Sequence, residues 1–318
     1  MAANVETMFY TNVTSAGERY APWHGLGVEV DKALDSKEAL EMSGLNWKVI
    51  SRPVYTKEGI EIPGYIANTR DSDNSVLGIV SNKYSIVQNE DAFAFTDALL
   101  NMEAKYVTAG SLKNGKSVWL LAELPRTNIL GDDVDEFLVF SNTHDGSGAV
   151  KVACTPVRVC CQNTLNLALS PAKRSWTCKH MGKMEDKLWE ATHTLQLANK
   201  YMEELRINAE KLAEVKISQD EVYQIVSEMF SVPESSSERV AANAQKAKTE
   251  FMVAYYMPDI KQFLGTGWGL VNAAADWASH ASPQRNTSTY AERNFEKVVF
   301  GHPIFDKIVA NCMARVGK

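Results

Sequence analysis

The sequence predicts an α+β fold, with an antiparallel, hairpin-rich N-terminal domain followed by a helical C-terminal domain. Two observations support this prediction. Up to about residue 175, short β-rich runs alternate with turn-forming residues, as is typical of antiparallel meanders. Beyond that point apolar residues recur at spacings of three and four, which indicates amphipathic helices. We therefore expect two domains, at residues 1–180 and 181–318.

The first predicted elements are a short helix and three strands. Ser36 is suited to cap the helix and Gly44 to end it, because a hydroxyl can accept a free N–H group and glycine adopts the left-handed conformation of a C-terminus. Ala39 and Leu40 would face inward. The strands are predicted at residues 48–55, 64–69 and 76–80, with turn-forming residues 71–74 favouring hairpin pairing.

A second helix and two longer hairpins follow. Asn89 and the acidic residues after it are typical of a helix start, and the apolar face would be Phe95, Ala98 and Leu99. Asn-Gly and Asp-Gly between β-rich runs are strong hairpin signals. They predict hairpins at residues 106–124 and 137–159, the second continuing into a short helix opened by Gln162, Asn163 and Thr164 to complete a β-β-β-α core.

The C-terminal domain is predicted to contain six helices. The first carries a stripe of Leu, Ala and Met at helical spacing. Ser218 and Glu221 form the capping-box pattern of the second helix, and Pro303 suits the first turn of the last. The predicted spans are 184–215, 218–230, 238–256, 268–279, 290–300 and 303–316.

Charge and cysteine content limit the class of protein. The formal net charge is -6 and the pI about 5.6, so nucleic acid would have to bind through a local patch. Five cysteines, an odd number with one adjacent pair, do not form a secreted disulfide framework. The first residues lack a secretory apolar stretch, and no run approaches the ~20 apolar residues of a membrane span. We therefore expect a cytoplasmic protein without membrane insertion.

A basic segment between residues 151 and 187 is the candidate patch. It contains seven Lys or Arg residues against two acidic ones, with Trp176 and His180 interleaved. Cations that hold a phosphate backbone and flat rings that stack on bases are the combination used by single-strand binders. A helix N-terminus at Asn163 and Thr164 would add a natural phosphate site. A solvated loop before a helix is the alternative interpretation.

A zinc site is poorly supported. Cys160, Cys161, Cys178 and His180 have the right ligand chemistry, but the first two are adjacent, so in a strand their side chains point to opposite faces. The sequence also contains no Cys-x-x-Cys pair. We therefore expect buried, unreactive thiols and neither a metal nor another cofactor.

Catalytic residues are equally poorly supported. His144, Asp145 and Cys154 are candidates for base, orienting carboxylate and nucleophile, but the first two fall at a hairpin turn, and turn chemistry explains them. The acidic residues between 132 and 136 follow a glycine between two strands, and we interpret them as a solvated connection. The sequence thus predicts a non-enzymatic protein.

Five motifs occur in order along nearly the whole chain. They are PWHGLG at residues 22–27, GLNWKV at 44–49, SNKYSIVQNEDAF at 81–93, SNTHDGSGAVKVACTPVRVCCQNTL at 141–165 and GWGLVNAAADWASH at 267–280. This set resembles a phage- and plasmid-borne family of unknown function. The resemblance implies a role in replication, recombination or interference with host defence, and it assigns no role to residues 23–27.

The central segment also resembles, in topology alone, the β-β-β-α core of phage single-strand annealing proteins. These assemble as rings with DNA in a basic groove. The resemblance therefore implies a homo-oligomer that binds single-stranded DNA, with RNA as the alternative. The groove would be lined by Lys151, Arg158, Asn163 and Thr164, with Lys173, Arg174, Trp176, Lys179 and His180 at its rim. A second hypothesis is a mobile-element protein whose acidic helices bind and inhibit a host defence protein.

Overall fold

The computed structural model describes residues 5–11, 13–14, 17–18, 28–100, 104–158, 175–183, 186, 198–257, 260–280 and 302–317. The fold is mixed α+β, with a β-rich N-terminal half and a helical C-terminal part, which confirms the predicted fold class. The chain divides into two compact units. Unit 1 comprises Met1–Pro125, Glu136–Cys154 and Ala172–Ala198, and unit 2 comprises Arg126–Asp135, Thr155–Pro171 and Asn199–Lys318.

The described residues form twelve strands in three sheets. In chain order they are β1 (Val5–Thr11), β2 (Val13–Thr14), β3 (Gly17–Glu18), β4 (Val28–Val30), β5 (Val49–Tyr55), β6 (Glu61–Arg70), β7 (Val76–Ser81), β8 (Tyr106–Leu112), β9 (Ser117–Ile129), β10 (Asp132–Thr143), β11 (Val150–Arg158) and β12 (Ser175–Cys178). The largest sheet has the order β12-β11-β10-β9-β8-β1-β4, a second pairs β5-β6-β7, and a small third pairs β2 with β3.

The predicted hairpins are present, and one connection differs from its prediction. β8 and β9 are joined at Asn114-Gly115, and β10 and β11 at Asp145-Gly146. The acidic residues 132–136 were predicted as a solvated connection, but they form the start of β10. Asp135 and Glu136 are only 5% and 4% exposed. Asp135 tolerates burial because the Arg126 Nε donates to its Oδ1 over 2.7 Å.

Two helices of unit 1 begin one residue earlier than their predicted caps imply. Helix α1 (Ser36–Met42) is capped by Asp35, whose carboxylate accepts from the Glu38 N–H, so the predicted cap at Ser36 is wrong. Helix α2 (Asn89–Leu99) is preceded by Gln88 as N-cap. The Asn89 side chain turns into the core instead, where its amide donates to the Leu45 carbonyl over 3.0 Å.

The predicted apolar face of α2 is also shifted. Ala92 and Phe93 are buried, whereas Ala98 is exposed. These buried residues join a core formed by one face of the largest sheet, and its members there include Tyr106, Leu120, Phe140 and Val152. The opposite face of that sheet is buried as well, at Met8, Trp119, Leu121, Phe137 and Val139. The central strands of the largest sheet are therefore buried on both faces.

Unit 2 holds the helical part. Its described helices are α3 (Ala198–Glu214), α4 (Gln219–Met229), α5 (Glu238–Tyr255), a short 3-10 helix (Lys261–Phe263), α6 (Gly267–His280) and α7 (Pro303–Met313). The Ser218–Glu221 capping box and Pro303 in the first turn are both confirmed. The core includes Leu205, Phe251, Trp268 and Ile308. The helices predicted at Gln162 and at 290–300, and most of the first half of 184–215, fall outside the described residues.

Membrane insertion would need a long apolar helix. None of the helices within the described ranges combines the length and the apolar character that a membrane span requires.

Candidate functional site

The described parts of the predicted basic segment lie at one edge of the largest sheet. β12 is the outermost strand and pairs antiparallel with β11, with Lys151 opposite Thr177 and Val152 opposite Trp176. Since successive side chains alternate between faces, Lys151 and Thr177 share one face, and Trp176 lies on the other. Trp176 packs against the core of unit 1 accordingly. Lys179, which follows β12 directly, is exposed.

The backbone of Lys179 is held in place. Its carbonyl accepts the N–H of Met181 over 2.8 Å, and the Sγ of Cys178 lies 3.1 Å from the same oxygen. Lys151 is partly exposed and Lys183 is exposed. Strand pairing therefore brings Lys151 close to the end of β12, and the turn that follows carries Lys179 and Lys183. We name Lys151, Thr177 and Lys179 the lysine face.

His180 makes a contact inside unit 1. The residue is 4% exposed, and its ring stacks on Tyr84 with centroids 4.4 Å apart. Its Nδ1 lies 2.9 Å from the Ser85 carbonyl oxygen, and the Ser85 N–H donates to the His180 carbonyl over 3.1 Å. Burial lowers the pKa of His180, which favours the neutral ring. In this structure the ring ties the end of β12 to the segment before α2.

The other predicted groove residues are less fully described. Arg158 is the last residue of β11. Asn163, Thr164, Lys173 and Arg174 lie outside the described residues. Of the nine predicted contact residues, Lys151 and Lys179 therefore lie at the same edge of the sheet, whereas Trp176 and His180 pack against other residues of unit 1.

A buried histidine lies at the centre of the SNTHDGSG segment. His144 is fully buried, and its Nε2 lies 3.1 Å from Oδ1 of Asn89. The Asn89 nitrogen donates to the Leu45 carbonyl, so Oδ1 is the acceptor and Nε2 of His144 carries the hydrogen. Burial lowers the pKa of His144 to about 3, and the ring is therefore neutral.

The backbone around His144 is fixed from several sides. The His144 N–H donates to the Lys116 carbonyl over 2.7 Å, and its own carbonyl accepts the side-chain amide of Asn68 over 2.8 Å. The Tyr84 hydroxyl donates to the Thr143 carbonyl. The turn was predicted from Asp145-Gly146, whereas the burial of His144 depends on distant partners. These contacts make His144 a structural residue that positions the β10–β11 connection.

Metal-ligating side chains and thiols are the remaining groups in the chain that could support chemistry. Across the described ranges, no group of three or more His, Cys, Asp or Glu residues is arranged to hold a metal ion. Cys154 and Cys312 are buried, and burial raises the pKa of the Cys312 thiol to about 12, which keeps it protonated. Cys178 is partly buried, and Cys160 and Cys161 fall outside the described residues.

One surface was missed by the sequence interpretation. The β5-β6-β7 sheet buries Val49, Asn68 and Val80 on one face. Its other face, which we name the outer face, exposes Ile50, Arg52, Tyr65, Val76 and Ile79. The sequence contains a signal for this surface. Apolar residues of β7 lie on both faces of the strand, whereas a strand buried on one face alone would alternate apolar and polar residues. It could not be interpreted without the register of the three strands.

Comparison with known proteins assigns the chain to a protein family. None of the curated proteins matches the chain, and none of the solved structures does. A family model for a domain of unknown function, DUF932, matches residues 76–298. The matched range includes the lysine face, the buried His144 and most of the described helices. Because it covers more than half of the 318 residues, the chain belongs to the DUF932 family.

Proposed function

We propose that this protein binds single-stranded nucleic acid without bond-making chemistry, through the lysine face, and serves phage or plasmid DNA metabolism such as strand annealing. The observation that carries the proposal is the pairing of β11 with β12. Lys151 lies opposite Thr177, and Lys179 comes two residues after Thr177, directly after β12, so both lysines belong to the same edge of the sheet although they are far apart in the sequence. Two ammonium groups so placed can neutralise phosphates of one strand.

The dimensions suit a flexible single strand. Diagonal neighbours on an antiparallel pair are about 7–8 Å apart, and lysine side chains are long enough to follow a backbone along this edge. Lys183 extends the same charge beyond the strand. The proposed homo-oligomer would join such edges into a longer basic path.

The overall charge makes the interaction strongly dependent on salt. A net charge of -6 repels nucleic acid at a distance, so attraction has to come from the local lysines. At physiological salt, ions screen the interaction between exposed charges that lie more than about 8–10 Å apart. Binding should therefore be clearest at low ionic strength.

Fluorescence anisotropy of a labelled single-stranded oligonucleotide at several salt concentrations, with duplex as competitor, tests the proposal. We expect salt-sensitive binding that prefers the single strand. Lys151→Ala with Lys179→Ala should weaken it and reduce the slope of log K against log salt by about 1.4, since each phosphate contact on a single strand contributes ~0.7. Lys37→Ala with Lys307→Ala removes two exposed lysines elsewhere and is the matched control.

Two outcomes would overturn the proposal. One is an equal slope in the two double variants. The other is no binding at low salt, which would favour the second candidate function, binding of a host protein. That candidate has its own observation. Tyr223 of α4, Val253 of α5 and Tyr256, the residue after α5, are exposed, and exposed tyrosines are enriched at protein interfaces.

A further inference from the structure

The outer face of the β5-β6-β7 sheet is an exposed surface of unusual composition. Arg52, Ala67 and Ile79 form one row across the three strands, and Ile50, Thr69 and Val76 form the next. Tyr65 lies two residues before Ala67 on the same strand and therefore on the same face. Tyr65 and Ile79 are 54% and 59% exposed. A tyrosine and three aliphatic side chains thus share this face with one arginine.

The Arg52 guanidinium is oriented by neutral groups. Its Nε donates to Oγ1 of Thr69 over 3.1 Å, and its Nη2 donates to Oδ1 of Asn74 over 2.8 Å. The Thr69 hydroxyl in turn donates to the Ile50 carbonyl over 2.9 Å. Among the described residues, no carboxylate lies within ion-pair distance of Arg52. Its charge is held in place and is available to an anion.

Charge complementarity therefore requires an anionic occupant. A second copy related by a two-fold axis that passes close to Arg52 would bring Arg52 against Arg52, and like charges across an interface are costly. An acidic peptide adding to the sheet would use the hydrogen-bonding edges of β5 or β7, whereas these side chains lie on the face. Flat rings and cations on a sheet face are the means by which proteins bind single-stranded nucleic acid.

We infer that the outer face is a second contact surface for single-stranded nucleic acid, on which a base stacks on Tyr65 and a neighbouring phosphate is held by Arg52. The inference rests on the proposed function for its ligand class, but it uses different residues. Tyr65 and the row of Arg52 are separated by two residues of strand, about 7 Å. One nucleotide can bridge that spacing from base to phosphate.

The test is anisotropy of fluorescein-labelled oligo(dT) with the full chain and three variants. Tyr65→Ala should weaken binding about tenfold or more, whereas Tyr65→Phe, which keeps the ring, should remain within about twofold. Arg52→Gln should reduce the salt slope by about 0.7. With an abasic oligonucleotide of the same length, Tyr65→Ala should make no difference, because no base remains to stack. Urea unfolding of each variant checks that the fold is kept.

The outcomes separate this inference from the proposed function. Binding that depends on Lys151 and Lys179 but is unchanged in Tyr65→Ala and Arg52→Gln would overturn the inference and leave the lysine face intact. Binding that is weakened by Tyr65→Ala and Arg52→Gln but does not depend on Lys151 and Lys179 would support the outer face as the contact surface and contradict the role of the lysine face. If the unaltered chain does not bind oligo(dT), both the proposed function and this inference are wrong. Polyglutamate could also displace oligo(dT). If it does so, and if Tyr65→Ala and the unaltered chain bind oligo(dT) with equal affinity, the face belongs to an acidic polypeptide and the inference is overturned.

Discussion

The imidazole Nε2 of His144 lies 3.1 Å from the amide oxygen of Asn89, and both side chains are buried. This bond joins the β10–β11 connection to the first turn of α2. Asn89 is held in turn by the carbonyls of Leu45 and Trp47, and the Trp47 ring meets His144 edge-on at 5.4 Å. A neutral imidazole is thus built into the core of unit 1, which has a consequence for acid stability.

Replacing His144 by Gln should flatten the pH dependence of stability between about pH 5 and 6.5. The pKa of His144 is about 3 in the folded protein, against about 6.5 in the unfolded chain. Between these values the unfolded chain binds more protons, so the unaltered protein loses stability as pH falls, by up to about 1.4 kcal/mol per pH unit. Glutamine binds no proton in this range, so the His144→Gln variant should not lose stability in this way as pH falls. Urea unfolding at several pH values measures the effect, and equal pH slopes in the two proteins would contradict it.

Glu136→Gln should stabilise the protein near neutral pH. Burial raises the pKa of Glu136 to about 8, whereas the unfolded side chain titrates near 4.3. The folded protein therefore binds more protons between these values, and its stability falls as pH rises through them. Glutamine removes this loss, and we expect a gain of about 1–3 kcal/mol at pH 7.5 that disappears below about pH 4.5. The exposed Glu41→Gln is the control, and an equal effect in both variants would count against the prediction.

Gly115→Ala should cost more than Gly59→Ala. Both glycines have a φ of 81°, so each substitution carries the ~1 kcal/mol cost of a left-handed residue with a side chain. A Cβ on Gly115 would also lie 2.2 Å from Nη2 of Arg70, whereas nothing lies within 4 Å at Gly59.

The additional cost at Gly115 comes from moving Arg70. Its Nη2 donates to the Asn114 carbonyl over 2.8 Å, and its guanidinium lies 4.7 Å from the ring centroid of Trp47. Losing these contacts should cost a further ~1–2 kcal/mol. Chemical unfolding of the two variants provides the comparison. Equal losses of stability would show that Arg70 moves aside without cost.

Local signals predicted much of the fold. The turns at Asn114-Gly115 and Asp145-Gly146 and the capping box of Ser218 and Glu221 depend on residues a few positions apart, so the sequence alone determines them. The cap of α1 was wrong by one residue because Asp35 and Ser36 are both good caps. The choice depends on which side chain reaches the Glu38 N–H.

Contacts between distant residues could not be predicted in this way. The burial of His144 depends on Asn89 and Asn68, and the strand Val5–Thr11 was not foreseen because its partner is Tyr106–Leu112. The candidate site shows the same limit. The basic segment was visible as composition, but only the register of Val152 against Trp176 reveals that the tryptophan belongs to the core side.

The division of the chain into units has a consequence for inheritance. Each unit is assembled from three stretches, and the two sets alternate along the sequence. A single crossover between two homologous genes, wherever it falls, would therefore split at least one unit, so that part of that unit would come from one gene and the rest from the other. Exchange of one unit alone would require several coordinated breakpoints. The two units are expected to pass between genomes together and to diversify by point substitution.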